Sequence, residues 1–465
     1  LHGIGEKFSP DLHTGTGNFT VPIALPPGRN GFQPQLSLVY STGNGNGPFG
    51  LGWNLSIPGV SRKTSKGVPR YDDDDVFILS GAEDLVLVKK EQKDSGAGKR
   101  TESHFRPRTE GLFARIVHHQ GAGNDFWEVR SKDGLVSFYG TPRPDEANQD
   151  WRDPAVIVDP DQSAHIFAWK LTRTVDPFGN RIDYIYERDA TPAEGGRCWD
   201  QLYLSEVRYV DHGDTDDPQF LVTAKFYYED RADRFSEYRS GFEIRTVQRC
   251  AKIEVSTHPG SELLTRTYDL VYLDQITNSK KPLPLNGVSL LSQIKVVGHN
   301  GTLSEELPPL EFGYTQFEPD KRDFFPFTGP GLPPSSLAHP EFEMVDLFGA
   351  GLPDILEMNG VVRYWRNRGG GRFDLPREMK DAPAGFHLAD RGVQLIDANG
   401  DGRMDLLISR NNLSGYFPLR FGGLWDRRSF KPYDFAPSFD LEDPEVRLVD
   451  LDGDGVTDAI RSGAR

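Results

Sequence analysis

Apolar residues alternate with small or polar ones through most of the first two thirds of the chain. The clearest stretch is GNFTVPIALPPGRNGFQPQLSLVYSTGNGNGPFGLGWNLSIPGVSR, in which Phe19, Val21, Ile23 and Leu25 share one face. Leu36, Leu38 and Tyr40 follow at the same period, then Trp53, Leu55 and Ile57. Period two over segments this short predicts three strands, each with one buried and one wet face. PPGRNG and STGNGNGPFG between them supply the preset and positive φ values that turns need. Pro22 and Pro34 cannot donate to a ladder, which predicts edges or bulges there.

Hairpins continue the pattern. DFWEVRSKDGLVSFYG turns at Asp133 and Gly134, and FAWKLTRTVDPFGNRIDYIYE turns at DPFGN. Three more strand pairs follow: LYLSEVRYVD with FLVTAKFYYED, FEIRTVQRCAKIEVST with LLTRTYDLVYLD, and VSLLSQIKVVG with LEFGYTQF. Helical periodicity is absent from all of them. The run Tyr71 to Asp75 reads as a solvated turn, and the polar, basic segment 89–109 as a loop or hairpin tip. Proline and glycine crowd residues 324–340, which predicts a linker between a β domain over 1–323 and a repeat region over 341–465. In that last region DLFGAGLPD, DANGDGRMD and DLDGDGVTD begin at Asp346, Asp397 and Asp450, a spacing that suits propeller blades.

The block from Gly15 through GVSRKTSKGVPRYDDDD resembles the SpvB-type N-terminal domain that opens the B component of bacterial insecticidal toxin complexes (Tc toxins). The hairpin ending in Tyr184 and Tyr186 resembles a single YD/Rhs repeat, and the nonapeptides look like the loops of FG-GAP/VCBS repeats. The resemblance implies an all-β fold: an antiparallel β-sheet shell of the SpvB/Rhs-cocoon kind, followed by part of an FG-GAP-type β-propeller. It also implies a secreted delivery protein. The shell would enclose toxic cargo together with an Rhs-repeat-containing C component or a downstream part of the same chain. The propeller would dock on the pore-forming A component. A calcium-dependent surface adhesin with an integrin-like propeller is the alternative, and downstream Rhs repeats or a surface anchor would separate the two. The start at Leu1 and the end at Arg465 predict a piece of a longer protein.

Composition narrows the partners. Lys and Arg number 53 against 69 Asp and Glu, a formal charge of −16, which argues against nucleic acid and anionic membrane surfaces. No run of eighteen apolar residues predicts membrane insertion. Two cysteines, Cys198 and Cys250, either pair or stay free.

The acidic loops carry the candidate chemistry. In DLDGDGVTD the carboxylates of Asp450, Asp452, Asp454 and Asp458 stand at positions 1, 3, 5 and 9, with the Val456 carbonyl at position 7. Calcium takes six to eight oxygen ligands, and glycines at positions 4 and 6 let a short loop wrap it. DANGDGRMD offers Asp397, Asn399, Asp401 and Asp405 with the Arg403 carbonyl, one carboxylate fewer. Position 12 is Arg461 or Ile408 rather than glutamate, so these are not EF-hands. The first loop has Phe348 and Ala350 at ligand positions and is expected to hold no ion.

Enzyme motifs fail on inspection. Gly45, Gly47 and Gly50 match a dinucleotide fingerprint but precede a strand, and SGAGKR lacks the first glycine and the hydroxyl of a P-loop. Glu341 and Glu343 have the E-x-E spacing of ADP-ribosyltransferases, without an upstream arginine and Ser-Thr-Ser element. His118 and His119 are adjacent on a strand and face opposite ways. The expectation is therefore a chain with no catalytic residues and no enzymatic activity.

Overall fold

The computed structural model describes residues 5–10, 17–65, 67–80, 83–95, 98–108, 113–148, 151–189, 198–214, 217–276, 283–315, 323–410, 413–435, 441, 443, 445–451 and 457–463. Among them every extended element is an antiparallel strand, and the helical residues are two short 3-10 turns, Arg29–Gly31 and Leu273–Gln275. No helix among them is long and apolar enough to cross a membrane. Contacts divide the chain into two compact units, Leu1–Thr64 with Pro69–Phe317, and Ser65–Val68 with Glu318–Arg465.

In the first unit the opening block forms a four-stranded sheet in the order Lys7–Pro10, Gly17–Pro22, Ser37–Ser41, Trp53–Leu55. Val21, Ile23, Leu36, Leu38, Trp53 and Leu55 are all buried, as their alternation predicts. Pro22 sits at the end of its strand, opposite Ser37 and past the reach of Lys7–Pro10, so its missing N–H costs no ladder bond. Gly52 shows why this block is rich in glycine: its φ is +81°, and a Cβ there would lie 2.4 Å from the Tyr40 ring.

The strands that follow close an eight-strand barrel: Gly59–Arg62, Phe77–Leu79, Glu83–Ser95, Gly98–Pro107, Arg115–Gly121, Asn124–Arg130, Val136–Tyr139 and Ile166–Val175. Closure comes from Ile166–Val175 pairing back onto Gly59–Arg62, with Trp169 opposite Val60. One cross-strand row, Ser103, His118, Trp127 and Tyr139, faces the barrel's interior, where His118 stacks on Trp127 with ring centroids 4.1 Å apart. Trp127 and Trp169 have no exposed surface. Ile166–Val175 also pairs with Arg181–Asp189, and from there a long meander runs through Gln201–Gly213, Pro218–Glu237, Ile244–Thr257, Leu263–Tyr272 and Leu291–Asn300.

Tyrosine hydroxyls tie the meander to the opening block. Tyr209 donates to the Pro26 carbonyl, while Tyr268 accepts from the Ala24 N–H at 2.7 Å. Such pairings satisfy the polar tips of rings buried for their apolar area.

Segment 89–109 was expected to be a loop or hairpin tip, and its described residues 89–95 and Gly98–Pro107 form the end of a long hairpin. They lie in the two long strands Glu83–Ser95 and Gly98–Pro107, paired from Lys89 opposite His104 to Ser95 opposite Gly98. The segment's polar composition reflects ion pairs across the ladder, such as Lys93 to Glu102 at 2.6 Å, instead of a turn. The aspartate run is a turn, but one that reaches inward. Asp75 holds the nearly buried Arg62 at 2.5 Å and accepts the N–H groups of Arg70 and Tyr71. Cys198 and Cys250 are both free, the latter fully buried.

The second unit contains three successive antiparallel sheets. Phe342–Val345, Asp354–Met358, Val362–Trp365 and Arg377–Glu378 form the first, and Val393–Ile396, Asp405–Arg410, Leu413–Phe417 and Lys431–Pro432 the second. Val446–Val449 and Asp458–Arg461 form the third. Leu356, Met358, Leu406, Ile408 and Trp425 pack into one core across the first two. The stretch read as a linker is packed on the first sheet: Trp365 donates to the Gly331 carbonyl at 2.6 Å, Phe373 donates to Thr328, and Leu332 and Leu337 join the Phe342–Trp365 cluster. Its prolines and glycines shape a fixed path in place of a free hinge.

Candidate functional site: the aspartate loops

Each of the three nonapeptides connects two paired strands of its own sheet, so the first aspartate ends one strand and the ninth starts the next. Asp397 gathers the loop after it. Its Oδ1 accepts the N–H groups of Gly400 at 2.9 Å and Asp401 at 3.1 Å, and its Oδ2 that of Gly402 at 2.8 Å. Asn399 accepts from Asp401 N, and Asp401 from Arg403 N, which completes a chain of short turns. Gly400 and Gly402 have φ of +72° and +82°, the left-handed values that let so few residues curl back. The Arg403 guanidinium lies over the Phe421 ring, 4.7 Å from its centroid.

Asp405 is different. It has no exposed surface, and its two oxygens accept Ala398 N at 3.2 Å and Leu419 N at 2.9 Å. Burial, and after it the charges of Asp401 and Asp397, push its carboxyl up to about 6. The same construction stands in the first loop, where Asp354 accepts Leu347 N at 3.2 Å and Asn367 N at 2.7 Å, and Asp346 accepts Ala350 N and Gly351 N. In the third, Asp458 accepts Leu451 N at 3.0 Å. Asp452, Asp454 and Val456 lie outside the described residues, so only Asp450 and Asp458 of that predicted set are placed.

Two kinds of aspartate therefore share the motif. The ninth-position carboxylate stitches its loop to the sheet and is needed even where Phe348 and Ala350 replace ligand residues. Asp397, Asn399 and Asp401 are the groups that give the second loop a cation-binding character. They fit a hard cation by donor type, two carboxylates and an amide oxygen.

Outside these loops, Glu343 lies in the strand Phe342–Val345, opposite Leu356. His118 and His119 face opposite ways: His118 Nε2 meets Asp125 Oδ1 at 2.7 Å on the barrel's inner side, while His119 pairs across the strands with Glu102 and Phe126. Sequence reading missed Glu102 and His104 as companions of His119, although their spacing of two in TESH already put them on one face.

The antiparallel all-β architecture of this chain is shared with a bacterial toxin-complex protein. All of the chain matches 23% of a chain in the Photorhabdus luminescens Tc holotoxin pore, with a TM-score of 0.78 and 27% identity. The chain belongs to the SpvB family, whose description is Salmonella virulence plasmid 65kDa B protein and whose pattern matches residues 11–210 and 198–258. The solved N-terminal domain of the effector protein SpvB from Salmonella typhimurium strain LT2 matches 60% of this chain across 99% of its own, with a TM-score of 0.51 and 26% identity. Curated relatives from Salmonella typhimurium and Salmonella dublin are 29% identical over 311 residues, 56% of this chain. The chain spans about half the length of those relatives.

These relatives correct one expectation. They are named mono(ADP-ribosyl)transferase SpvB, which overturns the expectation of a chain with no enzymatic activity.

Proposed function

We propose that this chain is a structural and delivery part of a Tc-toxin B-like component. The first unit supplies part of the wall of a cocoon around toxic cargo, completed by an Rhs-repeat-containing C component or by further sequence of the same protein. The second unit supplies FG-GAP-type blades of a propeller that docks on the pore-forming A component, and the assembly acts after secretion. The observation that carries this reading is the match of the whole chain, both units included, to one segment of a Tc holotoxin chain. Mixing the purified chain with a C component and a pore-forming A component tests it by size-exclusion chromatography and negative-stain microscopy. Co-migration with at least one of the two is expected; elution of all three apart, at micromolar concentrations, would sink the proposal.

Calcium is part of the reading. It would be held at the second loop by Asp397, Asn399 and Asp401, with Asp405 and the Arg403 carbonyl, and at the third by Asp450, Asp452, Asp454, Asp458 and the Val456 carbonyl. There it would neutralise carboxylates that otherwise repel one another. Calorimetric titration of calcium into chelator-treated protein should show saturable binding that weakens at least about tenfold at one site in Asp401→Ala, an exposed position whose loss spares the fold. Identical isotherms for the two proteins would remove calcium from the second loop.

A further inference from the structure

We propose that Glu91, Glu102 and His104, with His119 beside Glu102, form a binding site for a divalent transition-metal ion of the zinc class, on the face of the barrel wall opposite the His118 row. Three adjacent strands deliver the four side chains. Glu91 is directly opposite Glu102, Glu102 is directly opposite His119, and His104 is two residues beyond Glu102 on the same face. Ligand atoms of Glu91, Glu102 and His104 all lie within 4.8 Å of one another.

The pairing inside this group is specific. One Glu91 oxygen is bound by Lys89, and the other faces His104 Nε2 at 3.4 Å. One Glu102 oxygen is bound by Lys93 at 2.6 Å, and the other faces His119 Nδ1 at 3.6 Å. Each carboxylate is thus held by a lysine, while its second oxygen is turned toward an imidazole nitrogen. Four-coordinate zinc with bonds of about 2.0–2.1 Å to nitrogen and oxygen sets neighbouring ligand atoms about 3.3 Å apart. The two carboxylate–imidazole separations approach that edge length.

His119 supplies the second, independent sign. Its residue is 7% exposed, and neither ring nitrogen has a hydrogen-bond partner; His104 Nε2 is in the same condition. A buried imidazole left without partners costs free energy unless something takes its lone pair. The far nitrogen of His119, Nε2, is 3.9 Å from Glu128, the kind of carboxylate that orients a metal-bound imidazole from outside. Two imidazoles with two carboxylates suit zinc and its neighbours better than calcium or magnesium. The site is remote in sequence from the aspartate loops, and its failure would leave the calcium reading untouched.

Zinc chloride titrated into the chelator-treated full chain, held in excess calcium to saturate any oxygen site, tests the proposal. One equivalent should bind saturably. Cobalt in place of zinc should give the intense visible bands of a tetrahedral ion without a thiolate charge-transfer band, which separates this site from capture by Cys198. Glu91→Gln and His104→Gln, both at partly exposed positions that leave the fold intact by circular dichroism, should each weaken zinc at least about tenfold, the loss that even an outer partner of a ligand produces. An absence of saturable uptake by the wild-type chain, a thiolate band, or unchanged affinity in both variants would overturn it.

Discussion

Arg231→Ala is expected to lower the unfolding free energy of the first unit by about 3–5 kcal/mol, the loss typical of leaving a buried ion pair half made. The Arg231 side chain is fully buried. It donates to Asp233 at 2.9 and 2.7 Å, to the Gly47 carbonyl at 2.7 Å and to Asn46 Oδ1 at 2.8 Å. Asp233 in turn accepts from the Ser289 N–H and hydroxyl. One guanidinium therefore joins the glycine-rich loop of the opening block to the strand Pro218–Glu237 and, through Asp233, to Ser289 just ahead of the strand Leu291–Asn300. Removal would strand a carboxylate and a carbonyl in a dry place. Denaturant unfolding of the wild type and variant measures the difference, and a shift under about 1 kcal/mol would show that water reaches the site.

The same cluster sets an acid limit. Burial pushes the Asp233 carboxyl up, but the hydrogen bonds from Arg231 and Ser289 win and hold it well below the usual carboxylate range. A depressed folded-state pKa means stability that is present above the unfolded value, near 4, and drains away as pH falls below it. Acid should therefore weaken the wild-type first unit more steeply below pH 4 than Arg231→Ala.

Asp405→Ala should cost the second unit about 1–3 kcal/mol, because the buried N–H of Leu419 loses its acceptor, and the half-buried N–H of Ala398 loses one as well. The effect should persist in the presence of a chelator. That persistence measures the stitch apart from the ligand role of Asp405, whose loss would matter only with calcium present. Asp354→Ala should behave alike, since the first loop has the same bonds and was never expected to hold an ion. Thermal melts followed by circular dichroism, with and without chelator, check both.

Much of the first unit was legible because its signals are local. Phe19 to Leu25 and the turn at Asp133 and Gly134 declare strand and hairpin within a few residues, and the resemblance of the opening block supplied the family. Barrel closure was not legible: nothing near Val60 says that Trp169 is its partner, since register between remote strands is fixed by whole faces packing together. The length of the hairpin around Lys93, read only as a loop or hairpin tip, was hidden because both of its faces are polar, and with it the Glu102 and His119 group was missed. In the loops, residue types gave the ligand candidates, but the burial of Asp405 depends on Leu419, fourteen residues on, and is visible only in three dimensions.

Barrel closure also bears on how the chain is made. The strand Gly59–Arg62 leaves the ribosome more than a hundred residues ahead of the partner, Ile166–Val175, that completes it. At about 5–20 residues per second that is a wait of roughly 5–20 s with an open sheet margin. Pairings of such long range are slow to form and prone to capture by other chains. Yield in a foreign host should therefore respond to growth temperature and to chaperones that shield nascent strands, and the bottleneck will lie in synthesis rather than in the stability of the finished wall.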